Sequence, residues 1–230
     1  MRVLAAGSLR KVWSSLLAHF PQSVDTQFGP AGLLRERIEA GEPCDLFASA
    51  NVAHPQALLQ QGQARSVVPF ASNTLCLTVR SNALREGDDW FTLLTRPDLR
   101  VATSTAGCDP SGDYTQELFT RMGEAGIAVR ERAMALVGGR DSAPIPTGKL
   151  AAEWVIQNGQ ADLFIGYASY ASYAPELRQI NGLSVLNIPE PINPRAEYAC
   201  AVMTPQAENL AEFLQSEKAK AILQQAGFGV

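Results

Sequence analysis

The chain is predicted to fold as a two-lobed α/β protein with a central cleft and two hinge crossings. Short apolar runs with strand character alternate with helical apolar spacing along the 230 residues. Glycine- and proline-rich turns separate these segments. From their order, strands near residues 73–79 and 196–202 are interpreted as the crossings between lobes. Lobe one is then expected to hold residues 1–75 and 200–230, and lobe two the inserted residues 76–199.

Lobe one is predicted to begin with three strand–helix units. Its strands are expected at residues 3–6, 24–28 and 45–48, and its helices at residues 9–20, 31–39 and 55–61. Gly62 should end the third helix, because glycine readily adopts the left-handed conformation of a C-cap. A strand at 197–203 and two amphipathic helices that end at Gly227 complete this lobe.

Lobe two is predicted to continue the alternation. Its strands are expected at residues 73–79, 100–103, 130–136, 162–167 and 184–188. Helices are expected around residues 114–122 and through Ala151, Trp154 and Val155. This second series of strand–helix units makes α/β the class for both lobes.

The composition fits a globular protein and argues against several function classes. Hydrophobic residues make up 46% of the chain and charged residues 18%, which is enough to build a sizeable core. The net charge of -4, without a basic cluster, gives no electrostatic footprint for nucleic acid. The longest apolar runs last only a few residues, so no membrane insertion is expected.

Ser8 stands where the first strand meets the first helix. The apolar positions that follow have the spacing of one buried helix face: Leu9, Val12, Trp13, Leu16, Leu17 and Phe20. Ser8 is therefore predicted to be the N-cap, with its hydroxyl beside the free N–H groups of the first turn. Such a place either simply caps the helix or binds an anion.

Three further strand-to-helix turns have a similar character. They lie at residues 29–32 (Gly-Pro-Ala-Gly), 108–113 (Cys-Asp-Pro-Ser-Gly-Asp) and 145–149 (Ile-Pro-Thr-Gly-Lys). Glycines in such turns let a backbone approach a ligand closely and leave N–H groups pointing outward. Each turn alone is weak evidence, but four of them suggest a site built from converging helix N-termini.

Metal and disulfide sites are not predicted. Four cysteines stand at positions 44, 76, 108 and 200, without a C-x-x-C pair, and both histidines are remote from them in sequence. Cys76 and Cys200 lie in apolar strands and are interpreted as small buried hydrophobic residues. The spacing does not require a disulfide, although it leaves one open.

Catalysis is not expected either. Gly148-Lys149 resembles part of a phosphate-binding loop, but the earlier glycine is misplaced and Leu150 replaces Ser or Thr. No nucleophile-elbow spacing is present for Ser-His-Asp chemistry. Asp45 and Asp162 begin strands and are interpreted as structural carboxylates.

Several motifs together resemble one family. Ala5-Ala6-Gly7-Ser8-Leu9 resembles the opening motif of the periplasmic molybdate-binding proteins of ABC importers. Residues 28–34 and 38–50 (the latter Ile-Glu-Ala-Gly-Glu-Pro-Cys-Asp-Leu-Phe-Ala-Ser-Ala) are similar to the next motifs. Residues 110–112 and 161–167 resemble later motifs in the same order. The similarity extends over nearly the whole chain, from residue 3 to about residue 227.

The resemblance implies a type II periplasmic-binding-protein fold that captures molybdate or tungstate in the cleft between lobes. No cofactor, and no metal ligated directly by the protein, is implied. The ABC permease is the expected partner, and the default oligomeric state is a monomer. The implied ligand donors are Ser8 and Ala31 from lobe one, and Ser111, Lys149 and Tyr167 from lobe two.

Such a site would select its ligand through hydrogen-bond polarity. A tetrahedral dianion offers only acceptors, so backbone N–H groups and hydroxyls can satisfy it without a counter-charge. Protonated phosphate would leave its own O–H without an acceptor, at a cost on the order of 1–3 kcal/mol.

This chain departs from the family pattern at three of these positions. Ala31 replaces a second serine, so only its amide remains as a donor. Ser111 stands where a small apolar residue is common and restores a hydroxyl. Lys149 replaces an uncharged residue and either turns outward or brings a positive charge into the cleft.

Tyr167 ends an apolar strand, where it is either a core tyrosine or the implied donor. Tyr170 and Tyr173 follow it at a spacing that allows one helical face.

The compartment stays open at this point. Met1 lies two residues before the first predicted strand, with no apolar leader segment between them. One interpretation is a periplasmic protein whose leader is absent from this sequence. The alternative is a cytoplasmic sensor or carrier of the same fold that binds a different small anion.

Overall fold

The computed structural model describes residues 1–169 and 179–230, which form two compact units. Unit 1 consists of Met1–Asn73 and Ala196–Val230, and unit 2 of Thr74–Arg195. Each unit contains its own five-stranded mixed sheet together with helices. The prediction of a two-lobed α/β fold is confirmed.

Ten strands lie within the described residues. They are β1 (Arg2–Ala6), β2 (Asp25–Gly29), β3 (Leu46–Ser49), β4 (Ser66–Asn73), β5 (Leu75–Arg80), β6 (Val101–Ser104), β7 (Met134–Val137), β8 (Leu163–Tyr167), β9 (Leu183–Asn187) and β10 (Ala196–Val202). The sheet of unit 1 has the order β2-β1-β3-β10-β4, and that of unit 2 the order β7-β6-β8-β5-β9.

Nine α-helices lie in the same described part of the chain. They are α1 (Arg10–Leu17), α2 (Ala31–Glu39), α3 (Ala53–Gln60), α4 (Trp90–Thr95), α5 (Pro110–Arg121), α6 (Glu124–Arg132), α7 (Ala151–Gln157), α8 (Glu208–Leu214) and α9 (Glu217–Gln225). Short 3-10 turns occupy Gly7–Leu9, Ser81–Ala83 and Pro205–Ala207. None of the helices between residues 1–169 and 179–230 is long and apolar enough to cross a membrane.

Parallel pairing dominates one half of each sheet. In unit 1, β1 pairs in parallel with β2 and β3, while β10 runs antiparallel between β3 and β4. In unit 2, β6 pairs in parallel with β7 and β8, and β5 runs antiparallel to β8 and β9. Every residue of β3 and of β6 is buried. Such continuous burial is typical of parallel strands that are covered on both faces.

Several predicted boundaries are wrong. Residues 130–132 belong to α6, so the strand predicted at 130–136 is reduced to β7. The strand β4 was not predicted, and it contains Pro69, a residue that within sheets is confined to edge strands and bulges. The proline is tolerated because β4 is an edge strand and its pairing with β10 shifts register near Pro69. The helix α4, which Asp89 caps, was also missed. Residues 170–178, with Tyr170 and Tyr173, lie outside the described residues.

The carboxylates of Asp45 and Asp162 form hydrogen bonds and ion pairs with residues at the ends of strands, which is a structural role. Asp45 accepts hydrogen bonds from the Arg2 amide at 2.7 Å and from the Thr204 hydroxyl at 2.8 Å. Asp162 accepts from the Arg100 amide at 2.9 Å and pairs with the guanidinium groups of Arg100 and Arg80 at 3.0 and 2.9 Å. Burial raises the pKa of Asp162, but these hydrogen bonds and charges outweigh it and hold the pKa below its usual value.

We expect Asp162→Asn to lower the free energy of unfolding by about 1–3 kcal/mol at pH 7, measured by urea denaturation. Because the pKa of Asp162 is lowered in the folded state, its contribution is present above the ordinary pKa of about 4. That contribution disappears as pH falls through the folded-state pKa, so variant and wild type should converge in acid.

The matched control is Glu208→Gln, which removes the exposed Arg65–Glu208 pair at 3.3 Å. It should change the free energy of unfolding by less than about 0.5 kcal/mol, as exposed ion pairs do. Equal losses in the two variants would refute the role given to Asp162.

Candidate ligand-binding site

Three parallel strands of unit 1 end side by side. Ala6 pairs with Gly29, and Ala5 pairs with Ala48, so β1, β2 and β3 leave the sheet at the same edge. Ligands of open α/β sheets bind outside the carboxyl ends of their strands. Ser8 and Ala31 each follow one of these ends. The structure therefore brings the two expected site residues of unit 1 to one edge.

Ser8 is not the N-cap of the first helix, so that prediction is wrong. It is the middle residue of the 3-10 turn Gly7–Leu9, and α1 begins only at Arg10, after the N-cap Leu9. The N-cap of this turn is Ala6, which makes no capping side-chain hydrogen bond. Its hydroxyl instead lies 2.8 Å from the hydroxyl of Tyr198 on β10. The apolar spacing from Leu9 had suggested a helix start one residue after Ser8.

Ala31 is the first residue of α2 and is buried. Its N-cap is Pro30, and no side chain caps this helix end. The first N–H groups of an α-helix have no acceptor within the helix, and the helix dipole favours negative charge there. The N-terminus of α2 thus keeps donors available to an anion.

A positive charge lies near the same edge. Arg10, the first residue of α1, places its guanidinium carbon 5.0 Å from the centroid of the Phe28 ring. Phe28 belongs to β2 and precedes the Gly-Pro turn into α2. Sequence analysis did not single out Arg10, because nothing in the local pattern shows that Phe28 would hold it there.

The sheet of unit 2 has an equivalent edge. The parallel strand β6 leads into α5, and β7 leads into the loop 138–150. The third parallel strand, β8, ends at Tyr167. Ser111 lies in the first turn of α5, and Tyr167 is the last residue of β8. Both side chains are buried. The fold therefore places these two expected donors at the carboxyl ends of neighbouring parallel strands.

The N-terminus of α5, unlike that of α2, is capped by a carboxylate. Asp109 accepts a hydrogen bond from the Ser111 amide at 3.1 Å. The amide of Ser111 is therefore directed to the protein itself, and its hydroxyl remains the candidate donor. Asp109 at this end, followed by Pro110, is an N-cap signal that sequence analysis could have used.

Asp109 has an unusual electrostatic environment. Burial raises its pKa to about 6, and the nearby charge of Asp113 acts in the same direction. Hydrogen bonds from the Ser111 amide and the Ser104 hydroxyl lower the pKa but do not cancel this effect. This edge of unit 2 consequently contains an acceptor, Asp109, beside the candidate donor Ser111.

Lys149 has local partners. Its amide donates to the carbonyl oxygen of Pro146 at 3.0 Å, which closes a turn ahead of α7. Its ammonium group pairs with Glu153 on the first turn of that helix. The charge of Lys149 is therefore neutralised within unit 2.

A cavity of about 440 Å³ opens within unit 2 between β7, α7 and the first part of the connecting loop. The cavity is lined by the apolar residues Leu136, Ile145 and Trp154 and by the polar residues Thr105 and Ser142. The Ser142 hydroxyl accepts from the Gly139 amide at 2.9 Å, which helps to shape the loop.

The cysteines and the acidic residues give no sign of a metal centre. Cys76 and Cys200 are buried in β5 and β10, which confirms their interpretation as core residues. Burial raises the pKa of the Cys200 thiol to about 12, so it stays protonated. Within residues 1–169 and 179–230, no cluster of three or more His, Cys, Asp or Glu side chains is arranged to hold a metal ion.

Comparison with known proteins identifies the family. The sequence profile described as "Bacterial extracellular solute-binding protein" matches residues 1–229. The chain belongs to this family. A relative from Pasteurella multocida, the uncharacterized protein PM1146, is 46% identical over 223 residues, which cover 93% of this chain and 91% of the relative.

Solved structures of solute-binding proteins share the fold. The periplasmic molybdate-binding protein of Azotobacter vinelandii superposes with a TM-score of 0.78 at 22% identity, covering 100% of this chain and 99% of that one. The sulfate-binding protein SubI of Mycobacterium tuberculosis gives a TM-score of 0.74 at 19% identity, with coverages of 99% and 85%. At these identities the similarity establishes the solute-binding fold.

We expect Asp109→Asn to stabilise unit 2 above pH 6, because asparagine caps a helix as well as aspartate does and carries no charge to bury. The raised pKa of Asp109 means that wild-type stability decreases as pH rises from about 4 to about 6. The gain, on the order of 1–3 kcal/mol, should therefore be absent near pH 4 and complete near pH 7. Urea denaturation across this range measures it.

Asp89→Asn is the matched control, since Asp89 caps α4 by accepting from the Thr92 amide at 2.7 Å. Hydrogen bonds at that exposed cap lower the pKa of Asp89. Asparagine keeps this cap but lacks the negative charge that these hydrogen bonds favour, so the variant should lose stability at neutral pH and none in acid. The same pH dependence in both variants would contradict the environment assigned to Asp109.

Proposed function

We propose that this protein captures a small tetrahedral oxyanion, molybdate or tungstate in the first place, in the periplasm and delivers it to an ABC permease. The observation that carries this proposal is the donor-rich edge of unit 1. There the uncapped N-terminus of α2, the Ser8 hydroxyl and the charge of Arg10 lie at the ends of neighbouring parallel strands. Membership of the solute-binding family and the shared fold support a binding role for that edge.

The proposed donors are the Ser8 hydroxyl and the Ala31 amide on unit 1. On unit 2 they are the hydroxyls of Ser111 and Tyr167. Each of these groups can donate to an oxygen of a dianion, and the N-terminal dipole of α2 favours its charge. Lys149 is left out of this set, because its amide and ammonium groups both have partners within its own turn and helix.

A second candidate ligand is a small organic anion, such as a phosphate ester or a carboxylic acid. Two observations favour it over an inorganic oxyanion. The cavity of unit 2, about 440 Å³, has apolar walls that a tetrahedral oxyanion would not use. The carboxylate of Asp109 offers an acceptor to a ligand that carries its own O–H.

The oxyanion proposal is tested by isothermal titration calorimetry of the protein with molybdate, tungstate, sulfate and phosphate. We expect one-to-one binding of molybdate and tungstate, with sulfate and phosphate weak or silent. Ser8→Ala should weaken molybdate binding at least several-fold, because a hydroxyl donor to a charged ligand is lost. Ser14→Ala, at an exposed position on α1, is the control and should bind like the wild type. Unchanged affinity of Ser8→Ala would overturn its assignment, and silence of the wild type toward all four anions would overturn the oxyanion proposal.

The second candidate predicts that glycerol 3-phosphate, citrate or succinate raises the melting temperature of the protein. Ala135→Phe should abolish that shift, because Ala135 is an exposed residue that lines the cavity and phenylalanine would fill it. Molybdate binding should be unchanged in this variant. Ala128→Phe, on the exposed side of α6 and outside the cavity lining, is the control. The absence of a shift with any of the three compounds would exclude these representatives, and an undiminished shift in Ala135→Phe would refute the role of the cavity.

A further inference from the structure

Tyr198 places a hydroxyl group inside the core of unit 1. The residue lies on β10 and is fully buried. Its ring meets Phe228 edge-on, with centroids 5.5 Å apart at 88°, and Phe70 at 6.3 Å and 79°. Aromatic packing of this kind fixes the position of the ring, and therefore of the hydroxyl at its end.

That hydroxyl connects two residues that are distant in sequence. It lies 2.8 Å from the Ser8 hydroxyl and accepts a hydrogen bond from the Asn73 side-chain amide at 3.4 Å. Asn73 is the last residue of unit 1 before the chain enters unit 2, and it pairs with Ala196 at the start of β10. A continuous polar chain thus runs from Asn73 through Tyr198 to Ser8.

The Ser8–Tyr198 bond can run in either direction, and the bond from Asn73 favours the one in which Tyr198 donates, because a hydroxyl that accepts a hydrogen bond becomes a stronger donor. The Asn73 amide nitrogen can only donate, so the Tyr198 oxygen is an acceptor on that side. The phenolic hydrogen can then be donated to the Ser8 oxygen. Ser8 in this arrangement uses a lone pair for Tyr198 and keeps its own hydrogen for a further acceptor.

We propose that Tyr198 is a positioning residue for anion binding, which holds the Ser8 hydroxyl as an acceptor so that its hydrogen is presented to the ligand. This inference rests on the proposed function, in which Ser8 contacts the anion. A donor fixed before the ligand arrives gives more affinity than one that must be ordered on binding. The bonds between hydroxyls also polarise one another, which strengthens the donor at the end of the chain.

The test is a double-mutant cycle on molybdate affinity, measured by calorimetry, with wild type, Tyr198→Phe, Ser8→Ala and the double variant. Phenylalanine keeps the ring that packs on Phe70 and Phe228 and removes only the hydroxyl. We expect Tyr198→Phe to bind about three- to tenfold more weakly than wild type. The double variant should bind no more weakly than Ser8→Ala, because Tyr198 acts through Ser8.

A purely structural role would give a different result. The loss caused by Tyr198→Phe would then be the same with or without the Ser8 hydroxyl, and such additivity would overturn the proposal. Thr26→Val is the control for structural damage in unit 1, since it removes the hydrogen bond from the Trp13 indole at 2.9 Å. It should lower the melting temperature and leave molybdate affinity unchanged.

Asn73→Ala provides an independent variant if Tyr198→Phe folds poorly. It removes the group that orients the Tyr198 hydroxyl, and it should also weaken molybdate binding only while Ser8 is present. Wild-type affinity in both Tyr198→Phe and Asn73→Ala would overturn this inference alone. A wild-type protein that binds neither molybdate nor tungstate would overturn the proposed function and the inference that rests on it.

Discussion

The register of β1 against its two parallel neighbours is the constraint on which the candidate site of unit 1 depends. The backbone pairs Ala6–Gly29 and Ala5–Ala48 bring three strand ends to one edge. A shift of one residue would exchange the side chains that β1 packs against the two faces of the sheet. Val3, Leu4 and Ala5 are all buried, so both faces are covered and the packing on each side holds the register. That register determines where the chain of Ser8 and the start of α2 leave the sheet.

The two units offer opposite electrostatics at equivalent places. At the edge of unit 1 the α2 N-terminus has no capping side chain, and Arg10 adds a positive charge. At the edge of unit 2 the carboxylate of Asp109 already occupies the N-terminus of α5. Donors without an acceptor favour a fully deprotonated oxyanion, whereas an acceptor among donors favours a ligand with an O–H group. In our proposals this difference between the two edges is the physical basis of ligand choice.

Ser8 and Lys149 show how a residue's local sequence can suggest a role that its surroundings change. Ser8 precedes an apolar helical pattern, yet its hydroxyl turns to Tyr198 on the C-terminal strand β10 rather than to the helix start. Lys149 ends a turn and pairs with Glu153 one helical turn ahead, a pairing that the i,i+4 spacing allows but does not require. In both cases the competing partner is a side chain whose position depends on folding.

The sequence by itself determined the α/β class and most strand–helix units of both lobes, but it missed β4, α4 and α6. These features follow from apolar periodicity and from turn residues, which act over a few positions. Only the tertiary structure decided that Tyr198 meets Ser8 and Asn73, that Phe28 holds Arg10, and that Pro69 is accepted in the edge strand β4. Contacts between residues as far apart as 190 positions depend on strand order and side-chain packing, which no local pattern encodes.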